Sequence, residues 1–182
     1  MSLFDLLAIV ENDDSLHLGR LLILLAAFGG PQGQNSVDGL TKLAKLDFLL
    51  RYPANLERAL TARGRRASDA NVQDFERTSI ESEMVRYRFG PWDFRYRRLI
   101  NVLAAKGLVS VWTEGRTVRI QISPAGGVAA RELIDKLVYK DVWNRARLLK
   151  RHFDLTATKL MKFIYETFPE VISLRAGERI KR

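Results

Sequence analysis

The sequence predicts a mainly α-helical protein with one small β-hairpin and a helical appendage at its C-terminal end. Three observations carry this expectation. Apolar residues recur at spacings of three and four in several segments. Residues 81–122 read as a helix, a glycine stop and a two-stranded hairpin, with arginines and aromatics gathered at the helix start. The 182-residue chain is 47% hydrophobic and 28% charged, the composition of a globular protein that buries a core without staples.

Residues 3–10 have the spacing of a short amphipathic helix. Asn12, Asp13, Asp14 and Ser15 break it and offer caps for the next one. Residues 18–28 are apolar on nearly every side, which marks a helix central to a core. The run from Gly29 through Gly33 ends it as a loop. Ser36 or Asp38 is placed to cap the following helix. There Leu40, Leu43, Leu46 or Asp47, and Leu50 form the buried stripe, with Lys42, Lys45 and Asp47 toward the other faces. Pro53 stops that helix or starts another, and residues 55–62 continue as a short one. Near 61–80 apolar residues almost vanish and Arg63, Arg65 and Arg66 surround Gly64, so a mobile insert is expected.

Residues 83–89 alternate as a short strand, which Gly90 and Pro91 break. Asp93 is placed to cap a helix over 94–106. Its core stripe is Tyr96, Leu99, Ile100 and Leu103, leaving Arg95, Arg97, Arg98 and Asn101 outward and Gly107 at the C-terminal cap. Residues 108–112 and 117–122 then pair as a hairpin. With Glu114 and Gly115 as the loop, Val111 faces Val118 and Val109 faces Ile120 on one apolar face. Ser110, Trp112, Thr117 and Arg119 occupy the other face.

Ser123 and Pro124 open a helix reaching about residue 139, and a basic helix follows over 141–152. Asp154 or Thr156 caps a last helix with Leu160, Phe163, Ile164 and Phe168 as its stripe, and Pro169 ends it before a loose basic tail. The domain reading is therefore a unit over 1–140 and a C-terminal helical appendage over 141–182.

The chain carries 30 basic and 21 acidic residues, a net charge of +9 that attracts polyanions or an acidic protein. With no cysteine, disulfides, thiolate metal sites and cysteine nucleophiles are excluded. The apolar but acidic start does not read as a signal peptide, and no apolar run is long enough for a bilayer, so a cytoplasmic address and no membrane are expected. The GGPQG loop lacks the lysine-serine or lysine-threonine pair of a phosphate loop, His17 and His152 are far apart in sequence, and no serine sits in a nucleophile elbow. Neither catalysis nor a cofactor is expected.

A helix, a glycine stop and a hairpin in this order form the second half of a winged helix. In that arrangement the helix enters the major groove and the hairpin touches the backbone. Arg95, Arg97, Arg98 and Asn101 on the helix, with Arg116 and Arg119 on the hairpin, are the candidate residues for DNA or a partner. The plainer reading puts Phe89, Trp92, Phe94 and Tyr96 in the core with the arginines as a solvated rim, or gives the same face to a protein. On the basic helix, Trp143, Arg145, Arg147 and Arg151 are candidates for a protein interface, because Trp and Arg dominate such contacts.

The segment DGLTKLAKLDFLLRYP (38–53), followed after a polar insert by RYRFGPWDFRYRRLINVLAAKGLV (86–109), resembles the middle components of bacterial three-gene defence operons, the Lamassu anti-phage systems among them. The resemblance spans about residues 18–134. It implies a small non-catalytic subunit that bridges or covers the heads of an SMC-like ABC ATPase and restrains an effector nuclease until foreign DNA is sensed. The chain is also similar to the winged-helix accessory subunits of bacterial condensins, although those carry two such units and only one hairpin is legible here. A free-standing winged-helix transcriptional regulator, dimeric on paired half-sites, is the alternative.

Overall fold

The computed structural model describes residues 14–77, 84–87 and 90–180. The helix expected at 3–10 and part of the strand expected at 83–89 lie outside these residues. The fold is mostly helical with a small antiparallel sheet. In chain order the elements are α1 (Asp14–Gly29), β1 (Ser36–Asp38), α2 (Leu40–Arg51), α3 (Pro53–Ala62), α4 (Asp74–Arg77), β2 (Val85–Tyr87), β3 (Gly90–Trp92), α5 (Tyr96–Ala105), β4 (Val109–Glu114), β5 (Thr117–Ile122), α6 (Pro124–Ile134), α7 (Leu137–Phe153), α8 (Ala157–Thr167) and α9 (Pro169–Ser173). Among the described residues no helix is long and apolar enough to cross a membrane.

α1 lies at the centre, as its uniform apolarity implies. Leu21 through Leu25 and Phe28 are all buried, and the helix packs against α5, α6, α7 and the sheet. α2 is enclosed further than its leucine stripe suggested. Every residue from Lys42 to Arg51 is buried, because β1, β3, α3, α7 and α8 surround it. Lys42, Lys45 and Asp47 therefore do not face solvent.

Ser36 and Asp38 do not cap α2. They belong to β1, which pairs antiparallel with β5 and sets Val37 opposite Ile120, both buried. The sheet order is β1-β5-β4. The hairpin register also differs from the expected one: Val111 faces Ile120, Val109 faces Ile122, and the loop is Gly115 and Arg116. Gly115 has φ 60 and Arg116 is not among the positive-φ residues, the φ pattern of a type II′ turn, which needs glycine at its first central position. The shift is an even number of residues, so each side chain keeps its expected face. It does push the tip outward, leaving Val111 41% exposed while Val109, Ile120 and Ile122 are buried.

α5 keeps the predicted phase, with Tyr96, Leu99, Ile100 and Leu103 buried. At roughly 1.5–3 kcal/mol for each large apolar side chain, that stripe anchors the helix against α1 and the sheet. Gly126 allows α6 to close on the hairpin, since a Cβ there would lie 1.9 Å from the Leu108 carbonyl oxygen. The Ser123 hydroxyl caps α6 by accepting from the Gly126 amide at 2.9 Å. α6 ends at Ile134, short of the expected 139.

The expected division at residue 140 falls inside α7. Its Ala146, Leu149 and Phe153 join the same hydrophobic cluster as α1 and α2, so the described residues share one core. The described part of the 61–80 segment is built into that core as well. Residues 67–70 form a 3-10 turn with Ala70 fully buried, and α4 follows. The basic tail is likewise held: the Ile180 amide donates to the Met84 carbonyl at 2.9 Å, the Arg86 amide donates to the Glu178 carbonyl at 2.8 Å, and Ile180 is buried.

Candidate nucleic-acid and partner surfaces

A buried polar knot fixes α5 from the inside. Asp47 of α2 is 0% exposed. One carboxylate oxygen accepts from Arg20 Nε of α1 at 2.7 Å, and the other accepts from Arg51 Nη2 at 2.9 Å and from the Tyr96 hydroxyl at 2.7 Å. Arg51 Nη1 also donates to Asp93 at 3.0 Å, just before α5. Three helices thus converge on one carboxylate, and Arg51 ties the turn into α5 to it. Burial alone would raise the Asp47 pKa, but the guanidiniums of Arg20 and Arg51 and their hydrogen bonds hold it well below the usual carboxylate range. Asp93 is held at about 2, burial being outweighed by hydrogen bonds from Arg95 and the charge of Arg51. Nδ1 of His17 lies 2.9 Å from Arg20 Nη2. Burial, with the charges of Arg20, Arg95 and Arg51, lowers the His17 pKa to about 4, so the ring is neutral near pH 7.

On the outer side of α5 the candidate arginines separate. Arg95 turns back onto Asp93, with Nη2 at 2.7 Å from the carboxylate, and Asp93 also accepts the Arg95 amide at 2.9 Å. The N-terminal end of α5 is therefore already engaged by an internal carboxylate. Arg98 pairs with Asp14 at the start of α1 while remaining mostly exposed, Nη2 donating at 2.9 Å. Arg97 and Asn101, one turn apart, are exposed and make no side-chain hydrogen bond or ion pair among the described residues. Phe94 is 66% exposed on the approach to this face, not in the core as the plainer reading had it.

The two hairpin arginines also differ. Arg116 stands exposed in the tip loop with no ion pair among the described residues. Arg119 bridges Asp38 on β1 and Glu114 on β4, the latter at 2.8 Å, so its charge is largely answered within the sheet. What faces outward without a carboxylate partner among the described residues is Arg97, beside Asn101, and Arg116 at the tip.

On α7, Arg145 is not a surface residue. It is buried and donates to the Ala70 and Asn71 carbonyls, each at 2.8 Å, and to both Glu76 carboxylate oxygens, each at 2.6 Å. It clamps the 67–77 segment to α7. Trp143 is half-buried with the Arg147 guanidinium 6.0 Å from its ring centre, and Arg147 and Arg151 are exposed. These three border an open groove of about 1160 Å³ between α6, α7 and the C-terminal end of α1. The groove and the Asp47 knot both escaped sequence reasoning. The knot's one available signal was charged residues interrupting the leucine stripe of α2.

Among the described residues no group of three histidine, aspartate or glutamate side chains is arranged to hold a metal ion. Compared with protein-family models, curated proteins and solved structures, the chain matches none.

Proposed function

We propose that this chain is a winged-helix, non-catalytic accessory subunit of an SMC-like ATPase complex in anti-phage defence, contacting double-stranded DNA through the outer face of α5 and the hairpin tip. The observation that carries the winged-helix reading is topological. Setting aside the segment between α2 and α5, the order is helix, strand, helix, helix, strand, strand, with the first strand paired to the last. That succession supports the winged-helix reading, in which α5 takes the recognition position and β4–β5 the wing.

The chemistry of the face supports DNA contact. Arg97 and Arg116 are exposed cations without a carboxylate partner among the described residues, Asn101 supplies a hydrogen-bonding amide, and Phe94 is 66% exposed. The subunit role rests on the resemblance of residues 38–53 and 86–109 to middle components of three-gene defence operons. The ATPase and the effector nuclease are then its partners.

The test is co-expression with the products of neighbouring genes followed by purification. A stable complex with an ATPase is the expected result, with DNA binding by the isolated chain weak and steeply salt-dependent. A chain that elutes alone as a dimer and binds one operator tightly and selectively is instead a free-standing regulator.

A further inference from the structure

We infer that the groove between α6, α7 and the end of α1 is a docking site for an acidic amphipathic helix of a protein partner. The inference stands on the groove itself and not on the DNA-contact reading of α5.

The floor is apolar. Ala26 and Ala27 of α1, Ile122 of β5, Ile134 of α6 and Leu148 of α7 line it. The rim is basic: Arg131 stands on α6, with Arg147 and Arg151 one turn apart on α7. None of these three guanidiniums has an ion pair among the described residues, whereas neighbouring Lys150 is held by Asp154 at 2.6 Å. Among the described residues a single carboxylate, Asp69, belongs to the lining. Such a site accepts a ligand with an apolar face flanked by negative charge and rejects one flanked by positive charge.

The shape adds a second argument. Gly127 sits early in α6, and a Cβ built there meets nothing nearer than Arg131 Nη1 at 4.0 Å. Glycine weakens a helix, and among the described residues nothing fills the space its side chain would take. An occupant's side chain fits that notch. Trp143, half-buried beside Arg147, is the aromatic anchor expected at the centre of a protein interface. Single-stranded nucleic acid matches the rim but not the floor. Stacking successive bases takes successive aromatic platforms, and among the described residues Trp143 is the one aromatic side chain in the lining.

The experiment uses the full chain and three fluorescent probes. The first is a synthetic helix of about 18 residues, five turns, with leucine and alanine on one face and glutamate on the other. The second replaces each glutamate by lysine, and the third is single-stranded oligothymidine. Anisotropy titration is expected to give micromolar binding of the acidic helix and at least about tenfold weaker binding of the basic one. Gly127→Trp, which fills the notch, and Arg147→Glu with Arg151→Glu, which reverses the rim, should each weaken the acidic helix by at least about tenfold. Circular dichroism checks that the variants fold. Because the rim residues are exposed, the charge-reversed pair still reads the site if Gly127→Trp does not fold. Gly127→Trp leaves Arg97 and Arg98 in place, so its duplex DNA binding should match the parent. Failure of the acidic helix to bind, equal affinity for the two helices, tighter binding of oligothymidine, or unchanged peptide affinity in folded variants overturns the inference.

Discussion

Arg51 and Arg97 carry the same guanidinium and do opposite work. Arg51, buried on α2, donates to Asp47 and Asp93 and holds the entry to α5. Arg97, two positions past the end of that entry turn, is exposed and has no ion pair among the described residues. Arg145 and Arg147 repeat the contrast on α7: the first is a buried clamp on Ala70, Asn71 and Glu76, and the second stands over Trp143 at the groove. A net charge of +9 therefore says little about where a polyanion binds until internal carboxylates are assigned. The inner arginines hold the shape of the surface, and the outer ones give it affinity.

The largest expected effect tests the inner side. Leu103→Asp places an unpaired charge where the side chain is 2% exposed and should abolish folding, a loss of more than about 4 kcal/mol. A soluble variant with a parental circular dichroism spectrum contradicts the phase of α5. Asp47→Ala should cost about 3–5 kcal/mol in urea denaturation, because it leaves Arg20 and Arg51 buried without their shared carboxylate. A cost below about 1 kcal/mol would mean that the knot does not hold the helices together.

The α7 pair sharpens the contrast directly. Arg145→Ala should destabilise by about 2–3 kcal/mol and speed amide exchange at residues 67–77, since two carbonyls and Glu76 lose their donor. Arg147→Ala should stay within about 0.5 kcal/mol. Equal costs would erase the distinction between inner and outer arginines on this helix.

The pH dependence gives a smaller effect with a defined sign. In the unfolded chain His17 takes a proton near 6.5, and in the fold it does so only at about 4. Its contribution is therefore complete above pH 6.5 and is lost as pH falls toward 4, on the order of 3 kcal/mol in total. Asp47 and Asp93, both depressed, add further acid loss below that window. His17→Gln, which retains an acceptor for Arg20, should flatten the denaturation midpoint between pH 6.5 and 4. An unchanged slope would place the proton uptake elsewhere.

Local signals in the sequence carried well where one face met solvent. The stripe of Tyr96, Leu99, Ile100 and Leu103 was legible because buried positions recur there with the period of a helix, and the hairpin because Val118, Ile120 and Ile122 alternate with Thr117, Arg119 and Gln121. α2 is buried from Lys42 to Arg51, so Lys42, Lys45 and Asp47, read toward the outer faces, are enclosed, and Asp47 is the centre of the knot. β1 is three residues long, too short to show alternation, and only its pairing with β5 reveals it. The hairpin loop slipped because a glycine serves equally well at either of two turn positions, depending on turn type. Arg145 and the pairing of residues 84–86 with the tail depend on partners distant in sequence, which composition and spacing do not encode.

The most direct test of the outward basic face is a salt titration of a labelled DNA duplex by anisotropy. It compares the parent with Arg97→Glu and Arg98→Glu combined, both exposed and both outside the Asp47 knot. The account predicts a folded variant with weaker binding and a slope of log affinity against log salt that is shallower by about two, one for each lost phosphate contact. An unchanged affinity and slope in a folded variant would contradict it, because the face of α5 would then not be where this protein meets DNA.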